Sequence, residues 1–145
     1  MNIQKASLNE TEWLNDAIKR EFPYTAFSPE HIEERINNPK HLILVAKQGN
    51  ILTGFAELEI FPEKKEARLN AVFVEEAWRD QKIGTKLVKQ SINECKHKKI
   101  RKIFLLVKES NLGAKHLYAE CGFAFEKNHD KIIEGEQIEQ WEQKV

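Results

Sequence analysis

Cysteine is scarce: Cys95 and Cys121 are the only two. Two thiols exclude a disulfide framework and a cysteine-rich metal site, and they fit a reducing compartment. The five histidines fall at no H-x-x-x-H or Cys/His spacing, so no metal is expected. An excess of one charge is missing too, with 23 Lys+Arg against 23 Asp+Glu. A dedicated nucleic-acid binder carries a basic surplus, so no nucleic-acid partner is expected. No apolar run approaches the ~20 residues of a membrane span, and no membrane partner is expected. The opening Met1-Asn2-Ile3-Gln4-Lys5 lacks the apolar centre of a secretory signal, which points to a cytoplasmic protein. Four prolines and six glycines are scattered, with no repeat and no Pro/Gly/Ser linker. The expectation is one domain over residues 1–145, long enough to bury a core.

What is present is periodic. Ile3 opens a short strand. Ser7 and Glu10 form an S-x-x-E capping box, followed by Trp13, Leu14, Ala17 and Ile18 at helical spacing up to Pro23. Ser28-Pro29 starts a second helix through Ile32 and Ile36, which Pro39 stops. Residues 42–46 read as a buried strand, Gly49-Asn50 as a hairpin turn, and residues 51–60 as the return strand. That strand carries Ala56, Leu58 and Ile60 on one face and Phe55, Glu57 and Glu59 on the other. A strand over 67–74 leads to a helix marked by Ile83, Leu87, Val88, Ile92 and Cys95. The apolar run 103–107 reads as a strand covered on both faces. Ser110 or Asn111 caps a helix with Ala114, Leu117, Tyr118 and Cys121 inward, and Gly122 sits at its left-handed C-cap. Strands over 123–126 and within 131–143 close the chain. The order β-α-α-β-β-β-α-β-α-β-β predicts an α/β fold: a mixed, mostly antiparallel sheet with helices on its faces and one parallel crossover. The basic stretch Lys96 to Lys102 falls at a helix C-terminus, where cations complement the dipole.

Two segments carry chemistry. In the first, strand Val72-Phe73-Val74 runs into Arg79-Asp80-Gln81-Lys82-Ile83-Gly84-Thr85 at a helix start. Unsatisfied helix N–H groups with nearby cations can cradle phosphates, and Gly84 lets a ligand approach the backbone. In the second, Asn111 follows a strand and Tyr118 lies two helical turns on. Arg79 and Gly84 match a Q/R-x-x-G-x-G/A loop; Asn111, Ala114, Leu117, Tyr118, Gly122 and Phe123 match N-x-x-A-x-x-L/F-Y-x-x-x-G-F. Together these segments resemble the GCN5-related N-acetyltransferase family. Lys82 departs from the pattern, standing where the loop has its first glycine. A lysine amide there still faces a phosphate if its φ stays negative.

The resemblance implies the acyl-CoA N-acyltransferase fold, in which two parallel strands splay apart to admit acetyl-CoA as co-substrate. Val72, Phe73 and Val74 would meet the pantetheine arm, with Asn111 on its other side. The amides from Gln81 to Thr85, with Arg79, Asp80 and Lys82 in the same loop, would hold the pyrophosphate. An amine acceptor would attack the thioester directly, and Tyr118 would act as the acid on the departing sulfur, as well as touching the cofactor. For the base the resemblance offers a strand position occupied here by Arg68 and another by Leu106, neither an acid. Glu57, Glu59, Glu66 or water are the candidates. Trp13, Phe22, Tyr24 and Phe27, with Glu134, Glu136, Glu139 and Glu142, would shape the acceptor pocket, whose acidity suits a cationic amine. Exposed strand edges would allow a homodimer, and the sequence does not fix the oligomeric state. The rival reading keeps the fold as a CoA-binding or protein-interaction domain without transfer.

Overall fold

The computed structural model describes residues 1–23 and 28–145. Along the chain it places β1 (Asn2–Lys5), α1 (Thr11–Glu21), α2 (Pro29–Asn37), β2 (His41–Gln48), β3 (Ile51–Phe61) and β4 (Glu66–Val74). Then follow α3 (Ile83–His97), β5 (Lys102–Lys108), α4 (Leu112–Glu120), β6 (Ala124–Ile133) and β7 (Glu136–Lys144). The element order matches that expected from periodicity and caps. Local reasons are visible at the helix ends. The Glu10 carboxylate accepts from the Ser7 N–H at 2.9 Å, Ser28 caps α2 with Pro29 at its first position, and the Asn111 carboxamide oxygen accepts from Ala114 N–H at 3.1 Å.

Among the described residues the strands form one seven-stranded sheet in the order β1-β2-β3-β4-β5-β7-β6, antiparallel except for the β4–β5 pair. One face packs Leu44, Leu58, Leu69, Ile103 and Leu105 under Ile83, Leu87 and Val88 of α3, with α4 beside them. The other face packs Val45, Phe55 and Phe73 under Leu14, Ala17 and Ile18 of α1 and Ile32 of α2. Alternation in β3 and β4 feeds both layers at once, which is why these strands sit at the centre.

Two irregularities position the site. β4 and β5 are paired only from Glu66↔Lys102 to Leu69↔Leu105, and beyond Leu69 they part. Where they begin to part, β4 carries an extra residue: Glu57 faces Ala71 and Leu58 faces Leu69, so Asn70 is bulged. The bulge bends β4 away from β5. At the far end, Gly54 lets β3 and β4 come together, since a Cβ there would lie 2.5 Å from the Phe73 carbonyl oxygen.

Three expectations need correction. The β5 run is not covered on both faces: Ile103, Leu105 and Val107 are buried, whereas Phe104 and Leu106 are half-buried, Phe104 stacking on Phe61 at 6.3 Å. The strand expected over 123–126 continues to Ile133, and the turn falls at Glu134-Gly135, whose φ values are 53° and 76°. Lys82 does not keep a negative φ; it lies at φ 65°.

Candidate active site

On the α3/α4 face, the parting of β4 from β5 opens a cleft of about 600 Å³. Val72 and Val74 form one wall, and Asn111, Ala114, Leu117 and Tyr118 of the α4 segment form the other. Arg79, Asp80, Lys82, Ile83, Gly84 and Thr85 close its end. The structure thus brings together ten of the expected cofactor residues besides Phe73 and Gln81. Phe73 points to the opposite face, packed against Phe55 at 5.8 Å and Trp13 at 6.4 Å. Gln81 is exposed in the loop and does not line the cleft.

Hydrogen-bond phase explains the division along β4. Glu75 N–H donates to the Thr53 carbonyl at 2.8 Å. By the two-residue alternation of an antiparallel ladder, Phe73 also turns its backbone groups to β3. Those of Val72 and Val74 therefore face the opened side. The Val74 carbonyl accepts from Arg79 Nε at 3.0 Å, which ties the loop to the strand end. Arg20 holds the same corner, 2.7 Å from Glu75 and with its guanidinium 5.7 Å above the Phe73 ring.

The loop is strained at two positions. Asp80 and Lys82 both lie at φ 65°, a left-handed conformation costing a non-glycine residue about 1–2 kcal/mol. These turns lead directly into α3, whose first hydrogen bond runs from Lys86 N–H to the Lys82 carbonyl at 3.0 Å. The N–H groups of Ile83, Gly84 and Thr85 precede it and have no intrahelical acceptor. A Cβ on Gly84 would meet Leu117 at an ordinary 3.4 Å, so packing against the protein alone does not demand glycine there.

Tyr118 is half-buried on the cleft wall, edge-on to Phe123 at 6.0 Å. Burial, and to a lesser degree Cys121 nearby, push its pKa up to about 12, so the phenol carries its proton at neutral pH. Burial likewise raises Cys121, leaving it a thiol rather than a nucleophile. Asn111 spends its oxygen on the α4 cap, and the Nδ2 hydrogens remain for a ligand. Trp78, His116 and Glu120 also line the cleft, although no sequence pattern marked them. Their contribution comes from loop and helix packing.

On the α1/α2 face a second cavity of about 300 Å³ lies beside the bulge. Glu57, Glu59, Arg68, Asn70 and Ala71 form its floor; Phe22 and Arg35 stand at one side, Lys131 and Ile133 at the other. The three base candidates separate here. Both Glu57 oxygens accept from Arg35 at 2.7 Å, and His41 Nδ1 is 3.7 Å away. Burial pushes the Glu57 carboxyl up, but His41 and Arg35 outweigh it and hold the group below the usual carboxylate range. Glu66 sits where β4 and β5 are still paired, 3.6 Å from Lys102, and lines neither opening. Glu59 is half-buried in the cavity floor and, among the described residues, has no cation within ion-pair distance.

The acidic C-terminal residues do not reach this cavity. Glu134 pairs with Lys108 at 2.6 Å, Glu139 with Lys115 at 3.2 Å and Glu142 with Lys102 at 3.7 Å, while Glu136 accepts from Ser110. Trp13 belongs to the α1 core, Phe22 does line the cavity, and Tyr24 and Phe27 lie outside the described residues.

Comparison with known proteins bears on the family and the fold. The family model described as Acetyltransferase (GNAT) family matches residues 9–123. A Bacillus subtilis (strain 168) protein provisionally named as a ribosomal protein bS18-alanine N-acetyltransferase is 30% identical over 101 residues. That match covers 69% of this chain and 64% of the relative, just under two thirds of its length. Among solved structures, a spermidine N-acetyltransferase variant from Vibrio cholerae superposes with TM-score 0.84 at 18% identity, over 98% of this chain and 94% of that one. An N-acetyltransferase from Thermoplasma acidophilum, crystallised with coenzyme A, gives TM-score 0.81 at 23% identity over 99% and 98%.

Proposed function

The chain belongs to the GNAT acetyltransferase family, and from that premise we propose that it moves an acetyl group from acetyl-CoA to a primary amine within a ternary complex. The observation that carries this reading is the opened end of the β4–β5 pair, with strand backbone outside the sheet ladder, loop amides and a protonated Tyr118 lining one cleft. The pantetheine arm extends β4 at Val72 and Val74, as an added strand would. The pyrophosphate rests on the first amides of α3, with Arg79 and Lys82 beside it. The acyl carbon then lies near the bulge, between the cofactor cleft and the second cavity.

The acceptor enters from the α1/α2 face. Its neutral nitrogen attacks the thioester carbonyl; a C–N bond forms and the C–S bond breaks. A β4 N–H polarises the carbonyl oxygen, and the departing thiolate takes the phenolic proton of Tyr118. The nitrogen's surplus proton leaves through Glu59, directly or by water. Glu57 is unsuited to that task because Arg35 and His41 stabilise its ionised form. Holding both reactants supplies a large part of the acceleration.

Thermal unfolding with acetyl-CoA tests the binding half. Ligand at 100 times its Kd stabilises by about 2.7 kcal/mol, a rise of roughly 5–10 °C for this size. Thiol release with a panel of amines tests the transfer half. A thermal shift without thiol release from any acceptor would favour a CoA-binding domain instead, and no shift at millimolar acetyl-CoA would remove the cofactor assignment.

A further inference from the structure

The charge inside the α1/α2 cavity is not what a polyamine or other purely cationic acceptor would select. Its lining carries three cations, Arg35, Arg68 and Lys131, against two carboxylates, Glu57 and Glu59. Arg35 and Glu57 are bound to each other through both carboxylate oxygens, so they largely cancel towards a ligand. What remains is Glu59 with two cations. Arg68 and Glu59 are directly opposed on β4 and β3, yet no carboxylate lies within ion-pair distance of Arg68 among the described residues. Arg68 Nε and the neighbouring Asn70 Oδ1 are both buried without a hydrogen-bond partner. Buried donors and acceptors are seldom left so in a native structure, and here one sits on the bulged residue and the other two positions before it, where the cavity approaches the opened cleft.

We infer that the acceptor is a small zwitterion, a free amino acid in chemical class, with its amine towards Glu59 and its carboxylate held by Arg68. The inference rests on the transfer reading above and names its substrate class. A guanidinium presents paired donors that match a carboxylate in two-point contact, and Lys131 at the rim adds a second positive charge. An acid and a base side by side on one sheet face are the complement of an ammonium and a carboxylate on one small molecule. The cavity volume of about 300 Å³ suits such a ligand. The carboxylate takes no part in bond making; it orients the amine towards the thioester.

The test measures thiol release from acetyl-CoA with the twenty free amino acids, each beside its carboxamide, and with 1,4-diaminobutane and an alanine-first hexapeptide amide. At least one amino acid is expected to exceed its own amide by about tenfold or more in kcat/KM, as loss of a charge-assisted hydrogen bond predicts. In Arg68→Gln that ratio falls towards one, while Arg68→Lys retains part of it. The acetyl-CoA thermal shift of both variants shows that they are folded, because Arg68 lies outside the cofactor cleft. Amides, diamine or peptide acetylated as well as or better than every amino acid would overturn the inference and leave the transfer reading standing. An unchanged ratio in Arg68→Gln would overturn it as well. Thiol release from no acceptor at all would overturn both.

Discussion

The two openings at the parted end of β4 are built from different materials. The α3/α4 cleft adds backbone groups to its side chains: strand N–H and C=O groups at Val72 and Val74, and helix amides at Ile83 to Thr85. The α1/α2 cavity is made of side chains drawn from α1, α2, β3, β4 and β6, with Arg35, Glu57, Glu59 and Arg68 setting its charge. A backbone site tolerates exchange of most side chains provided the loop conformation survives. Lys82 illustrates this, holding a left-handed φ that glycine would adopt more cheaply. A side-chain site changes its preference with one residue. The α3/α4 half is therefore readable as a motif, whereas the α1/α2 half must be read from contacts.

That contrast can be broken or sharpened by substitution. The largest effect is expected at Gly54, which serves both sides because it sets the β3–β4 approach. Gly54→Ala drives a Cβ to 2.5 Å from the Phe73 carbonyl oxygen and is expected to cost about 3 kcal/mol in a urea melt, with loss of the acetyl-CoA shift. Glu57→Gln acts on one side. Removing the charge that faces Arg35 and His41 is expected to cost about 2 kcal/mol, yet the acetyl-CoA thermal shift should be retained. A lost shift would mean that the two openings are not independent.

Tyr118→Phe leaves the cleft wall intact and removes the proton donor, so turnover should fall about tenfold or more at near-normal acetyl-CoA affinity. Unchanged turnover would remove the acid role. The same variant carries a pH signature. Tyr118 ionises near 10 when unfolded and at about 12 when folded, so the folded state binds the extra proton between those values. Stability therefore falls as pH rises from about 10 to 12. Tyr118→Phe should flatten that part of the curve, and an identical slope would show that the phenol does not titrate as described. The smallest change is expected from Lys82→Gly, which relieves a left-handed residue and should stabilise by about 1 kcal/mol or less. If acetyl-CoA affinity falls in that variant, the lysine ammonium contributes to binding beyond its amide.

Much of this was legible before folding because the signals were local. Caps at Ser28 and Asn111, helical spacing in α1 and α3, and the left-handed Gly122, at φ 97°, all depend on residues a few positions apart. The Tyr118 wall and the Arg79–Thr85 loop stood out for another reason, because together they resemble a family's motifs. Contacts between distant segments were not. Nothing near Glu57 in the chain marks it as the partner of Arg35, 22 residues away. Nothing in the acidic C-terminal stretch marks Glu139 as the partner of Lys115 or Glu142 as that of Lys102. The bulge at Asn70 depends on register between β3 and β4, and register belongs to pairs of strands rather than to either one.

The sequence by itself determined the order of elements and the sheet's mixed character, because hydrogen-bonded turns and periodic burial are short-range properties of the chain. Only the tertiary structure decided which charges remain uncompensated beside the opened strand. Coulomb partners are chosen by distance in space, and on this sheet face distance in sequence carries little information about it.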